Sequence, residues 1–494
     1  MVSTINNEKL SIKTKLGFGI GDFYGGGVFT LIAIYYLFFL TDVLLINPVL
    51  AGTIFLVCKI WNAIIDPVMG VISDRTRSRY GRRRPYILAG VFFVFITFFL
   101  IWYPVAFKSE ILRFAYYLVA FLFYSTVYTM VMIPYNALSS ELTLDYNERT
   151  SLTTYRMIFS TISSLICAVA PIEVTKFFAD IKEGYMVMAI IFGIFFALPF
   201  IATFLFTKER PEFQGNTIEP INLLKSFASS FRTPTFVNVV LMYLFAFIAM
   251  DAVMTIIMYF MKYYLNRGNE TDYVMGVLLV VQLISFPVFS LISKKTSKKT
   301  SYTIAAMFWM AVMFFSFFIT PTAHPYLIYI LGGLVGIGTG GVVIMVYSIF
   351  PDVPDIDELY TGQRREGLFS GLLTFMRKLS SAFMIFFISN AIAIAGYKPP
   401  IENTGKLVNL SAQGAIRMVD QVQNANFILV LRFIFALVPI ICLIFCIYNA
   451  YRYALTPSLH AKIKEFLDRR RKVKDPTPEL IAEQQALMGL LTRK

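Results

Sequence analysis

Apolar runs of roughly 20 residues, each long enough to cross the hydrocarbon core of a bilayer, recur along the whole chain. They predict spans near 17–41, 47–72, 86–106, 112–138, 156–178 and 184–207, and a second set near 235–264, 272–293, 301–320, 326–350, 368–395 and 425–453. The longest internal polar stretch, 208–234, falls between the two sets. The pattern predicts an all-α membrane protein of twelve transmembrane helices in two six-helix halves, residues 1–207 and 235–453. A linker at 208–234 joins the halves and a tail at 454–494 follows. Two six-span halves with a linker between them are what a duplicated transporter shows. A short repeat agrees: Ile72-Ser73-Asp74-Arg75-Thr76-Arg77-Ser78-Arg79 after span two resembles Ile292-Ser293-Lys294-Lys295-Thr296-Ser297-Lys298-Lys299 after span eight, six spans later.

Composition fits this picture. Of 494 residues 57% are hydrophobic and only 15% charged, against about 25% charged in soluble domains. The net charge of +14 is gathered in short loops and the tail, so it does not point to nucleic acid. Lys9, Lys13 and Lys15 precede span one, and Arg75, Arg77, Arg79, Arg82, Arg83 and Arg84 follow span two. Lys294, Lys295, Lys298 and Lys299 follow span eight, and Arg469, Arg470, Arg471, Lys472 and Lys474 follow span twelve. With an even number of spans all of these fall on one side, which places both termini in the cytoplasm of a multi-pass protein of the cell (inner) membrane. Met1–Lys15 is polar and the first apolar run is too long for a signal peptide, so no cleavable leader is expected.

The remaining features refine the picture. Glycines at Gly25-Gly26-Gly27, and at Gly332, Gly333, Gly336, Gly338, Gly340 and Gly341 of span ten, suit close helix packing. Trp102-Tyr103 is an interfacial anchor, and the tail around Lys462–Arg471 is a basic amphipathic segment suited to water or to anionic lipid. The four cysteines, Cys58, Cys167, Cys442 and Cys446, lie in apolar segments and read as packing residues, with no disulfide framework or metal cluster. His324 and His460 lie in a loop and the tail, which excludes a histidine proton relay across the membrane.

Charge inside a membrane span is costly and marks functional candidates. Lys59, Asn62 and Asp66 share one face of span two, and Pro67 frees a backbone carbonyl beside them. An acid, an amide oxygen and a loose carbonyl suit a hard cation; the structural alternative is a buried Lys59–Asp66 pair holding helices together. Asp22 in span one and Asp251 in span seven, with Arg156 opening span five, Arg377 and Lys378 in span eleven and Arg432 in span twelve, are partners for a polar substrate at a midplane cavity. Arg156 snorkelling to the interface is the competing reading. Loops after spans four and ten carry mixed charge. Asp74, Arg75, Arg149, Asp352, Asp355 and Arg365 form the expected cytoplasmic gate, against the plainer reading of solvated loop charge.

These residues resemble the glycoside–pentoside–hexuronide:cation symporter family of the major facilitator superfamily. The resemblance runs through Gly19-Ile20-Gly21-Asp22-Phe23, Phe38-Phe39-Leu40-Thr41-Asp42-Val43 and the block from Asp66-Pro67 to Arg84-Pro85. It continues in Ile133-Pro134-Tyr135-Asn136-Ala137-Leu138, Glu148-Arg149-Thr150, Asp352-Val353-Pro354-Asp355 and Gly362-Gln363-Arg364-Arg365-Glu366-Gly367. It implies a cation site at Asp66 and Thr129, with Asn62 where sodium-coupled members have a second acid and Ile65 where they have an asparagine. That loss of charge leaves H+ or Na+ open as coupling ion, with Lys59 tuning Asp66. Sugar-contacting positions of the family are Gly26, Met132, Asn136 and Val343 here, while its arginine and lysine persist as Arg156 and Lys378.

The expectation is a transporter, not an enzyme: no HExxH, GxSxG or nucleotide loop is present. It would carry a small polar solute, a sugar or sugar derivative, with a coupling cation and no cofactor. As a monomer in lipid it would move that solute by alternating access. A non-sugar solute such as a lysolipid or organic anion is the alternative, and a transport-inactive receptor on the same fold a further one.

Overall fold

A computed structural model describes residues 9–143, 146–209, 234–361, 366–403, 417–471 and 478–492. The side chains of Asp74 and Arg149, and all of Arg365, lie outside what is described. Eleven helices among the described residues are long and apolar enough to cross a membrane. The helix at the ninth expected position, Lys298–Ser316, is not one of those eleven, because it opens on Lys298-Lys299-Thr300-Ser301 and its apolar part is short.

Helices are numbered here by the expected spans. Helix two is Pro48–Arg75, three Arg84–Trp102, four Glu110–Leu142 and five Tyr146–Lys176. Helix six is Ile181–Ala197 continued by Pro199–Phe206. Helix seven is Pro234–Tyr259, eight Thr271–Lys295, nine Lys298–Ser316, ten Tyr326–Ile349, eleven Glu366–Ile394 and twelve Ala425–Arg452. Their starts follow local chemistry. Asn47 caps helix two by accepting the Val49 amide at 2.9 Å, with Pro48 at the first turn where a missing N–H costs nothing. Ser297 caps helix nine by accepting from the Thr300 amide at 3.0 Å.

Helix one is irregular. α-Helical Ile12–Ile20 and Val28–Leu31 alternate with π-helical Phe23–Gly27, Ile32–Tyr36 and Phe39–Val43. Such π turns add a residue per turn, rotate the following side chains and recur at functional sites. Asp22 stands at the first of them, with φ −81° and ψ 2°. The turn passes close to helix five: a Cβ on Gly26 would lie 2.6 Å from the Ser160 carbonyl oxygen and nearer still to its hydroxyl, so only glycine fits.

The chain forms two compact units, Met1–Glu219 with Ile385–Phe427, and Pro220–Met384 with Ile428–Lys494. In the first, helix one packs on helix five and the end of six, two on four, and three on four and six. The last part of helix eleven belongs to this unit. Ser389 leaves no room for a side chain at Gly52, and Tyr397 donates to the buried Asp42 carboxylate at 2.7 Å, which Thr41 also reaches at 2.8 Å. A short antiparallel pair, Ile401–Asn403 with Arg417–Val419, follows. In the second unit helix ten packs on seven, eight and nine, with Gly336 directly against the Leu278 carbonyl. The short helix Val353–Thr361 packs on Pro457–Arg471, and Pro478–Thr492 packs on both.

Candidate functional site

Helices two and four meet through a polar ladder. Thr129 Oγ1 donates to Asp66 Oδ1 at 2.6 Å, and one turn away Ser125 Oγ donates to Asn62 Oδ1 at 2.5 Å. Both pairs recur at i,i+4 on their helices, so two neighbouring turns of each helix face each other. Trp61 Nε1 adds a bond to Thr126 Oγ1 at 2.9 Å. Asn62, Ser125 and Thr129 are buried, whereas Asp66 and Lys59 are half-buried. Three of the four oxygen-bearing residues were expected from the sequence; Ser125 was not. Its signal was its place four residues before Thr129, matching Asn62 four before Asp66.

Arg156 lies ten residues inside helix five rather than opening it, because that helix begins at Tyr146. It meets Asp22 of helix one, with Nε 3.2 Å from Oδ1, and its guanidinium lies 5.5 Å from the Tyr135 ring centre. Tyr135 is held in turn by donating to the Phe18 carbonyl at 2.7 Å and stacking on Phe18. In the other unit the partner of Asp251 is Arg377, with Nη1 and Nη2 at 2.5 and 2.8 Å from the two carboxylate oxygens. Arg377 also lies over the Phe247 ring at 4.5 Å. Arg377 and Lys378 were both expected in span eleven as partners for a polar substrate; adjacent residues point about 100° apart on a helix, and the rotation of helix eleven gives Arg377 the bidentate contact to Asp251. Arg432 donates to the Phe317 carbonyl at 2.7 Å and stacks on the Phe317 ring, a packing role.

The expected gate residues divide. Arg75 is exposed, as are Arg77 and Arg79. The next three arginines are tethered: Arg82 and Arg83 both reach Glu141 Oε1, at 2.6 and 2.5 Å, and Arg84 donates to the Phe204 carbonyl at 2.6 Å. Glu209, which sequence reasoning passed over, seats its carboxylate on the backbone amides of Arg82, Arg83 and Arg84 at 2.7, 2.8 and 3.0 Å. Those amides open helix three, where N–H groups have no partner within the helix. Asp352 is bound by Lys298 at 2.7 Å and Asp355 by His460 at 3.0 Å, so their partners come from helix nine and the tail. The four cysteines are buried thiols, and no metal-holding group of His, Cys, Asp or Glu occurs among the described residues.

Residues 17–457 match the family model described as MFS/sugar transport protein. An uncharacterized symporter of Synechocystis sp. is 27% identical over 96% of this chain and 99% of its own length. A putative sulfoquinovose importer of Escherichia coli is 28% identical over 80% of this chain and 84% of its own. Among solved structures, the nucleoside transporter NupG superposes with a TM-score of 0.59 at 13% identity, covering 89% of this chain and 97% of that one. With its membrane helices and buried intramembrane charges, the chain therefore belongs to the MFS/sugar transport protein family and is a multi-pass membrane transporter rather than an enzyme.

Proposed function

We propose that the chain is a cation-coupled symporter of a small polar solute, a sugar or sugar derivative. It works by alternating access of two six-helix halves, twelve spans in all, with both termini in the cytoplasm. The ladder between helices two and four carries the reading. Asp66 supplies one negative charge, and Thr129, Asn62 and Ser125 supply neutral oxygens beside it. A single carboxylate amid hydroxyl and amide oxygens matches one monovalent cation, H+ or Na+. Lys59, on the same helix, competes with that cation for the field of Asp66. Asp22, Arg156, Asp251 and Lys378 are the substrate-side residues, with Arg377 added as the bound partner of Asp251. The named relatives, an uncharacterized symporter and a putative sulfoquinovose importer, support the class of reaction.

Uptake into proteoliposomes over a panel of sugars, sugar acids and lysolipids, under imposed proton or sodium gradients, tests the proposal. Asp66→Asn is expected to abolish gradient-driven accumulation while the protein still inserts. Full accumulation by that variant refutes the cation site, and accumulation of lysolipid alone favours the non-sugar alternative.

A further inference from the structure

The tail is seated on protein along one face. Helix Pro457–Arg471 buries Leu459, Ile463, Phe466 and Leu467 where it packs on the short helix Val353–Thr361, whose Ile356 and Leu359 are fully buried. The spacing i, i+4, i+7, i+8 makes that face a continuous stripe. The second tail helix, Pro478–Thr492, packs on both. There Gln484 Nε2 donates to the Leu359 carbonyl at 2.6 Å, and Glu483 pairs with Arg469 at 2.5 Å. At the edge of the stripe stands His460, its side chain 16% exposed. Its Nε2 lies 3.0 Å from Asp355 Oδ2 and its Nδ1 4.0 Å from Asp352 Oδ1, so one imidazole stands between two carboxylates. Lys298 of helix nine binds both oxygens of Asp352, and Tyr453, just past helix twelve, lies in the field of the same acid. Among the described residues, Asp357, Glu358 and Tyr360 on the short helix and the exposed Lys464 and Glu465 of the tail complete the titratable surroundings.

Histidine is the side chain whose charge changes between about pH 5 and 8. Charged, His460 carries a proton on each ring nitrogen and attracts both acids. Neutral, it has one proton for two carboxylates, and its other nitrogen can only accept. We propose that the tail is a pH-responsive clasp: charged His460 fastens helix Pro457–Arg471 onto Asp352 and Asp355, and loss of that proton loosens it. Only the charged form gains from standing between two carboxylates, so the hold is fullest in acid and fades as pH rises through the titration of the histidine. The apolar stripe supplies a hold that does not depend on pH, and His460 adds the adjustable part. What is clasped is the segment joining helix ten to helix eleven, so the tail stiffens that connection in acid and frees it in base. The clasp involves neither a solute nor the cation at Asp66, and it stands or falls apart from the symport reading.

The test is hydrogen exchange of the purified full-length protein in micelles, read by mass spectrometry at about pH 5.5 and about pH 8. Rates are corrected for the intrinsic pH dependence of amide exchange. Amides of Pro457–Arg471 and Val353–Thr361 should exchange about tenfold faster at the higher pH, the difference between a charge-assisted and a neutral hydrogen bond. Helix three, which the tail does not touch among the described residues, should show no such change. His460→Gln keeps a hydrogen-bonding side chain that does not titrate, and it should remove the pH response from both segments. A wild type whose two segments do not respond to pH overturns the inference, as does a response of equal size in His460→Gln or in helix three. Should His460→Gln fail to fold, Asp355→Asn takes its place. Removing the nearer carboxylate should cut the response to about threefold or less, and a full response in that variant overturns the inference.

Discussion

Replacing Glu209 tests the reasoning at its most quantitative point. Its carboxylate, on a residue 7% exposed, accepts three backbone amides at 2.7, 2.8 and 3.0 Å at the start of helix three. A hydrogen bond to a charged group is worth about 1.5–3 kcal/mol net, and an anion at a helix N-terminus gains about 0.3–1 kcal/mol from the aligned peptide dipoles. The three bonds share one carboxylate, and the amides of Arg82 and Arg84 are only partly buried, so water replaces part of what is lost. Glu209→Ala should therefore cost about 3 kcal/mol rather than the full sum. Glu209→Gln keeps an acceptor but not the charge and should cost about half as much. Gly81, at φ +106°, sits against this carboxylate: an added Cβ would lie 2.5 Å from the carboxyl carbon. Gly81→Ala combines backbone strain with that overlap and should cost about 2 kcal/mol, less when Glu209 is already alanine. Reversible unfolding in mixed micelles of the wild type, the three single variants and the Gly81→Ala/Glu209→Ala double variant measures all of this, with the alanine variants forming a double-mutant cycle. A cost below about 0.5 kcal/mol for Glu209→Ala, the level of an ordinary surface change, refutes the account.

Two further outcomes follow from the packing. Arg377→Gln leaves Asp251 buried without its fork and should destabilise the protein by about 3–5 kcal/mol, more than Arg156→Gln does. Equal losses in micelle unfolding would deny the difference between the two pairs. Gly26→Ala drives a methyl group into Ser160, and overpacking of this kind costs about 1–3 kcal/mol; an unchanged melting temperature would mean that helices one and five are not packed as described.

Much of the architecture was legible in the chain. In lipid a backbone has only its own groups to bond with, so each long apolar run must close its hydrogen bonds as a helix. Asp22, Asp66, Arg156 and Asp251 stood out because charge in such runs is costly. Where sequence reading reached less far, the missing quantity was helix rotation. Arg377 and Lys378 are neighbours in the chain, and only the orientation of helix eleven selects the first for Asp251. Ser125 carried only its spacing to Thr129 until helix four turned it toward Asn62.

The sequence by itself thus marked out the long apolar segments and which of their residues are too polar to be there without a reason. The tertiary structure decided the pairings. It put Glu209 on amides more than a hundred residues away, inserted π turns in helix one where Gly25-Gly26-Gly27 meets helix five, and joined Tyr397 to Asp42. Hydrophobicity is a property each residue carries with it, so it can be read along the chain. An ion pair or a bidentate contact depends on angles and tenths of an ångström between segments distant in sequence, and these are defined only once the helices have packed.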